Sequence, residues 1–180
     1  VTGRAHVTPK QSYVFVANHQ SFLDVFAVYG WLPNNFKWLM KKEIRKVPFV
    51  GTACKVAGHI FVDRSNPRAA LQSMEHIKGE LVDGISTVIF PEGTRSKDGE
   101  LGEFKGGAMK IAMESGAKVV PVLIEGSRAR LEETGNITSG TVYVTFLPPI
   151  ETKGLDKQQM KAKFEKQIAD AKADMARHKK

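Results

Sequence analysis

The segment Ile85–Phe90, ISTVIF, constrains the fold of this chain more than any other. Apolar residues stand at nearly every position rather than at alternate ones, so this strand has no face to give to water. Strands of that kind belong in a sheet covered by helices on both sides. Ser12–Ala17 (SYVFVA) and Val119–Ile124 (VVPVLI) read in the same way. Further strands are expected at Phe36–Leu39, Gly58–Val62 and Thr141–Leu147, the last stopped by Pro148 and Pro149. Helical stretches fall between them. Phe22–Gly30 follows Ser21, a fitting N-cap, with Asp24 where a capping-box acid would sit. Arg68–Asp83 has helical periodicity through Leu71, Met74, Ile77 and Leu81, and Lys105–Ser115 ends at Gly116. Leu155–Ala176 carries Met160, Phe164, Ile168, Ala171 and Met175 on one stripe. A short helix is expected around Cys54, over Val50–Ala57, while Lys41–Lys46 is helical or looped and Pro48 interrupts it. Strands alternating with helices define an α/β fold: a single domain with a central mostly parallel or mixed sheet covered by helices. At 180 residues and 42% hydrophobic content, one sizeable core is expected.

The formal charge of +8 indicates an anionic partner. Nucleic acid, a phosphorylated metabolite and an anionic membrane surface all qualify. The single cysteine, Cys54, excludes an internal disulfide and a cysteine-based zinc cluster. No run of apolar residues is long enough to span a bilayer, and no signal peptide is visible. The chain starts at Val1 and enters structure almost at once, so it is expected to lack its natural N-terminus; the sequence leaves open whether a membrane anchor belongs to that missing part.

Two polar clusters follow apolar runs. The first is Asn18-His19-Gln20-Ser21-Phe22-Leu23-Asp24. Histidine suits reversible proton transfer near neutral pH, and a neighbouring carboxylate can fix its tautomer and favour the imidazolium. His19 at a strand end and Asp24 in the first helical turn can fold together, in the place where open α/β sheets put their sites. The alternative is that Asp24 only caps the helix and His19 only bonds locally. Asn18 and Ser21 are expected to shape the turn. No Gly-x-Ser-x-Gly elbow supports a serine nucleophile.

The second cluster is Phe90-Pro91-Glu92-Gly93-Thr94-Arg95-Ser96. Gly93 permits a sharp turn, and Arg95 offers phosphate a planar fork that lysine cannot copy. Thr94 and Ser96 can add hydroxyl or backbone contacts. Glu92 would either hold Arg95 or accept from a substrate hydroxyl. Arg64, at a separate strand end, would converge on the same sheet edge if the strands are parallel. Lys105 with Gly106 and Gly107 opens the next helix, whose N-terminus favours anions. The alternative is a surface turn with an incidental ion pair. Neither a P-loop nor a dinucleotide fingerprint occurs. No metal is expected, because His6, His59, His76 and His178 lack partners at ligand spacing.

Between Phe36 and Lys55 stand Lys37, Lys41, Lys42, Arg45, Lys46 and Lys55, with Glu43 the only acid. Trp31, Phe36, Trp38, Leu39 and Met40 lie within or beside them. Interleaved aromatics and cations suit a membrane interface or single-stranded nucleic acid. A core-facing aromatic set with a solvated rim is the third possibility.

Taken together, these residues resemble the glycerolipid acyltransferase family, most closely its bacterial 1-acylglycerol-3-phosphate acyltransferases. His19 and Asp24 match the family's Asn-His-x-x-x-x-Asp block, and Phe90–Ser96 matches Phe-Pro-Glu-Gly-Thr-Arg-Ser. Gly58–Arg64 and Val119–Val122 resemble the other two blocks, in the same order, and the likeness covers roughly Pro9–Pro149. The resemblance implies direct acyl transfer from an acyl-acyl carrier protein (acyl-ACP) or acyl-coenzyme A (acyl-CoA) donor to the sn-2 hydroxyl of lysophosphatidic acid, with no cofactor. It implies His19 as general base oriented by Asp24, Arg64 and Arg95 on the acceptor phosphate, Glu92 positioning the glycerol, and Pro121 shaping the acyl or acceptor region. It implies a chain associated with an anionic membrane surface, on the cytoplasmic face of an inner membrane, and no nucleic-acid partner. It also implies an N-terminal helical segment for membrane docking, which this sequence does not contain. A relative acting on glycerol-3-phosphate or another lysolipid fits the same blocks, because they address a phosphate and a hydroxyl and not the rest of the acceptor. A non-catalytic domain binding anionic lipid is the remaining alternative.

Overall fold

A computed structural model describes residues 1–63, 66–104, 110, 113–133 and 135–178. Its strands are β1 (Tyr13–Ala17), β2 (Phe36–Lys41), β3 (Ile60–Val62), β4 (Ser86–Ile89), β5 (Lys118–Glu125) and β6 (Tyr143–Phe146). The helices are α1 (Leu23–Trp31), α2 (Val50–Val56), α3 (Pro67–Glu80), α4 (Ser127–Leu131) and α5 (Lys157–His178), with a 3-10 turn over Lys42–Lys46. One sheet runs in the order β3-β2-β4-β1-β5-β6. The first five of these strands are mutually parallel and β6 is antiparallel to β5. The α/β class expected from the strand runs is therefore observed, with a mixed sheet.

β1 lies at the centre, and all five of its residues are buried. Its side chains alternate between two apolar layers. Val14 and Val16 face a layer containing Ile77 of α3 and Met160, Phe164, Ile168 and Ala171 of α5. Tyr13, Phe15 and Ala17 face the other layer, with Val28 of α1 and Trp38 of β2. The predicted α5 stripe is thus the helix face that covers the sheet. Burying each of its large side chains stabilises the fold by about 1.5–3 kcal/mol. Phe164 also meets Phe104 edge to face, with ring centroids 4.9 Å apart.

The departures from expectation have local causes. β2 extends to Lys41 because it pairs with β3 over Leu39–Lys41. Pro121 sits inside β5, buried and in register with Val16. Its carbonyl accepts from the Leu147 N–H at 2.9 Å, but proline has no N–H to return, and the regular ladder with β6 stops one pair earlier. The helix α4 has no counterpart in the expected elements. The helix expected over Lys105–Ser115 lies largely outside the described residues.

The parallel strands share one C-terminal edge. From β1 the chain crosses to β2 on one side, while β5 lies on the other side of β1, so β1 marks the topological switch point. The two polar clusters leave the sheet there, from β1 and its neighbour β4.

Candidate active site

Asn18 ends β1 by acting as a side-chain rung. Its amide donates to the Ile124 carbonyl at 2.8 Å and accepts from the Ile124 N–H at 2.7 Å. The backbone is thereby released from the sheet without orphaning β5. Asp24, fully buried, then gathers the turn onto one carboxylate oxygen. Its Oδ2 accepts from His19 Nδ1 at 2.9 Å, Gln20 N–H at 2.7 Å and Ser21 N–H at 2.8 Å. Ser21 Oγ in turn accepts from the Leu23 N–H at 3.1 Å. Of the two roles posed by the sequence, orienting His19 is the one observed: the N-cap position of α1 is Phe22 with no side-chain cap, and Asp24 instead holds the turn before the helix. Its other oxygen, Oδ1, is buried with no partner among the described residues.

An acceptor oxygen shared with two backbone N–H groups fixes the proton of the imidazole on Nδ1. His19 Nε2 is left as the ring's acceptor and has no protein partner among the described residues. The ring stacks on Phe90, with centroids 4.0 Å apart and planes 9° from parallel, and its side chain is 16% exposed.

The loop after β4 clamps the same histidine by its main chain. Glu92 Oε1 accepts from the His19 N–H at 2.8 Å, and the His19 carbonyl accepts from the Ser96 N–H at 2.7 Å. Glu92 Oε2 accepts from the Gly102 N–H at 2.9 Å. Burial pushes the Glu92 carboxyl above its ordinary value, against these two N–H bonds, which draw it down. Gly102 approaches so closely that a Cβ there would lie 2.7 Å from Glu92 Oε2. At Gly93 the chain turns with φ +72°.

Arg95 is not held by Glu92. Its Nη1 bonds both carboxylate oxygens of Glu132, at 2.9 and 3.0 Å. Of the two roles expected for Glu92, holding Arg95 is corrected here: both Glu92 oxygens are engaged by backbone amides. Glu132 stands just after α4 and was not foreseen. Its only sequence signal is a carboxylate soon after the Val119–Val122 block, and that is too common to single out. Glu132 Oε1 also accepts from the Phe22 N–H at 3.0 Å and Ser21 Oγ at 3.3 Å, and these donors with Arg95 hold its carboxyl below the ordinary value.

Glu92, Thr94, Arg95, Ser96, Gly102, Glu103 and Phe104 line a cavity of about 390 Å³. Ser96 Oγ bonds Asp98 and the Gly99 N–H, so this hydroxyl serves the loop. Arg64 and Lys105, the other cations expected at the site, lie outside the described residues. Asp63 at the end of β3 leaves the same sheet edge as β1 and β4. Among the described residues no cluster of histidine, cysteine and carboxylates could hold a metal ion.

His59 lies apart from this site. Its Nδ1 accepts from the Trp38 N–H at 3.3 Å, and Nε2 lies 2.5 Å from the Tyr29 hydroxyl. Burial, aided by Lys37, lowers its pKa.

A family profile described as Acyltransferase matches residues 1–144. The chain is 36% identical over 154 residues to a 1-acyl-sn-glycerol-3-phosphate acyltransferase of Limnanthes douglasii, covering 84% of this chain and 54% of the relative. It is 34% identical over 164 residues to the human 1-acyl-sn-glycerol-3-phosphate acyltransferase alpha, covering 90% of this chain and 58% of that one. The chain therefore spans little more than half the length of these curated relatives. Among solved structures, the 1-acyl-sn-glycerophosphate acyltransferase PlsC of Thermotoga maritima aligns over 96% of this chain and 72% of its own, with a TM-score of 0.77 and 28% identity. With a matching profile over most of its length and a solved relative of the same fold, the chain belongs to the Acyltransferase family.

Proposed function

We propose that residues 1–180 form the acyltransferase domain of a 1-acylglycerol-3-phosphate acyltransferase, with His19 and Asp24 as its general-base dyad. The observation that carries this is the imidazole at the β1 end: Nδ1 is tied to a buried carboxylate and Nε2 is left as the ring's acceptor. In the proposed reaction Nε2 takes the proton of the acceptor's sn-2 hydroxyl as its oxygen attacks the thioester carbonyl carbon. The tetrahedral intermediate collapses with cleavage of the C–S bond, and the imidazolium returns the proton to the departing thiolate. Phosphatidic acid and a free thiol result. Asp24 stabilises the imidazolium without taking the proton. Arg95 and, outside the described residues, Arg64 and Lys105 would hold the acceptor phosphate, with the Gly93–Ser96 turn completing that pocket. Glu92 acts through the main chain of His19, beside any contact with the glycerol. The acyl donor is acyl-ACP or acyl-CoA. The curated relatives' activity toward 1-acylglycerol-3-phosphate supports this acceptor over glycerol-3-phosphate.

The test is a panel of acceptors with radiolabelled acyl thioester, read by product mobility. Label should enter a product only with lysophosphatidic acid. Preferential acylation of glycerol-3-phosphate or of a phosphate-free lysolipid would overturn the assignment.

Among the described residues no helix is long and apolar enough to cross a membrane. We propose docking on an anionic cytoplasmic-face membrane surface through the cationic segment the sequence pointed to, with a partly different set of apolar residues. Trp38 and Leu39 are core residues, which corrects their place in the aromatic surface. Trp31 is half exposed, and Val47, Phe49, Val50 and Val56 add further exposed apolar residues among the exposed Lys42, Arg45, Lys46 and Lys55. Phe49 is 90% exposed at φ +61°, ψ −49°, the centre of a strained γ-turn closed by the Val50 N–H on the Pro48 carbonyl. Phe49→Ser should abolish co-sedimentation with vesicles containing phosphatidylserine at low salt. Unchanged sedimentation would move the docking face elsewhere.

A further inference from the structure

Arg95 is half exposed, with a side chain 51% accessible, and exposed arginines sample many rotamers. Here one carboxylate grips a single nitrogen, Nη1, with both of its oxygens. Nε and Nη2 have no partner among the described residues. These two form one edge of the guanidinium, and that edge is the pair of parallel donors a phosphate accepts bidentately. The gripping carboxylate is itself fixed. Glu132 Oε1 accepts from the Phe22 N–H and Ser21 Oγ, at the start of α1 and two to three residues beyond His19. The donors at α1 offset part of the charge that Glu132 brings near an anionic ligand.

We propose that Glu132 is a positioning residue: it pins Arg95 by Nη1, turns the Nε–Nη2 edge toward the acceptor phosphate, and ties that edge to the turn carrying His19. The inference rests on the acyltransferase reading above and adds to it a residue outside the four sequence blocks. Glu132 touches neither the reacting hydroxyl nor the thioester. Its effect is preorganisation, which removes conformers of Arg95 before the acceptor arrives.

The experiment uses the intact chain with lysophosphatidic acid and an acyl thioester. It compares the parent, Glu132→Gln, Arg95→Lys and the double variant, with thermal unfolding of each. Glutamine keeps the shape and one oxygen for the Phe22 N–H, so the fold should survive, whereas alanine would leave the donors at the α1 start without this acceptor. Glu132→Gln should raise the acceptor KM about tenfold and leave donor KM and kcat within about threefold. The two substitutions should be non-additive, with Glu132→Gln adding less than about twofold once Arg95 is lysine. A purely structural role at α1 would lower kcat and thermal midpoint equally on both backgrounds, and additive effects of that kind overturn the proposal. A lower acceptor KM in Glu132→Gln overturns it too, because Glu132 would then be competing with the phosphate. A parent that acylates no phosphate-bearing acceptor overturns the functional reading and this inference with it; an active parent with unchanged Glu132→Gln overturns this inference alone.

Discussion

The turn leaving β1 hides its polar groups: Asn18, Gln20, Ser21 and Asp24 are all 4% exposed or less. The loop leaving β4, next to it in the sheet, turns Thr94 and Arg95 outward. The first is over-determined, since one Asp24 oxygen answers to three donors and the His19 main chain is bonded at both its N–H and its carbonyl. The second keeps a long cation in place with one carboxylate. On the proposed function, the first region holds a proton-transfer group, which needs an orientation that does not drift, and the second a phosphate site, which has to open for a ligand arriving from solvent. Buried polar networks supply the first property, and a solvent-exposed ion pair supplies the second.

If that contrast is right, substitutions in the first region should act on kcat and those in the second on acceptor KM. The largest effect belongs to the dyad. His19→Ala should lower kcat by about 10²–10⁴-fold with the fold retained, and Asp24→Asn should be similarly severe because the tautomer control goes. Retention of more than about a tenth of the parental kcat by folded His19→Ala would remove the proposed base, and the same result for Asp24→Asn would remove its orienting role. Glu92→Gln comes next. Its amide group must face either the His19 or the Gly102 N–H, donor against donor, so one tether is lost. A drop in kcat of about 10–100-fold is expected from a displaced His19, with a loss in unfolding free energy of about 1–3 kcal/mol by denaturant titration. An effect confined to acceptor KM would instead put Glu92 on the glycerol.

Arg95→Lys should spare kcat and raise acceptor KM about tenfold, since the ammonium has no fork to offer. Kinetics in which only donor KM moves would assign Arg95 to the thioester's side of the site. The smallest effect lies outside both regions and tests whether the contrast is confined to them. His59 is lowered below its ordinary value of 6.5 by burial, so the folded state favours its neutral form. Its contribution is complete above that value and is lost as pH falls through it toward the folded pKa. Unfolding midpoints in urea should therefore fall between pH 7.5 and 5.5, and fall less in His59→Gln, with kcat at neutral pH unchanged.

Much of this contrast was legible in the sequence because it rests on local chemistry. The apolar runs predicted strands with two covered faces, and the α5 stripe predicted the helix that covers one of them. The five-residue step from His19 to Asp24 is closed by a turn, so the pair could be expected from the chain alone. What the sequence did not disclose depends on tertiary approach. Glu132 meets Arg95 across 37 residues and Glu92 meets His19 across 73. No spacing encodes either. Trp38 looked interfacial because its neighbours are cationic, but both faces of β2 are covered: Trp38 packs in one apolar layer and Leu39 in the other. Phe49 was hidden in a short apolar stretch, and only its backbone turn sends the ring into solvent.

Asn18 gives the site a particular kind of fragility. A rung made by an amide side chain depends on one residue's ability to donate and accept at once. Aspartate is almost the same size, yet it would set an oxygen against the Ile124 carbonyl and return no N–H. Threonine or serine would be too short to span the gap. The position at which the chain departs from the central strand, and with it the place of His19 above the sheet, is therefore spelled by a single chemical group. A conservative-looking change at this buried residue would be felt as a shift of the whole turn.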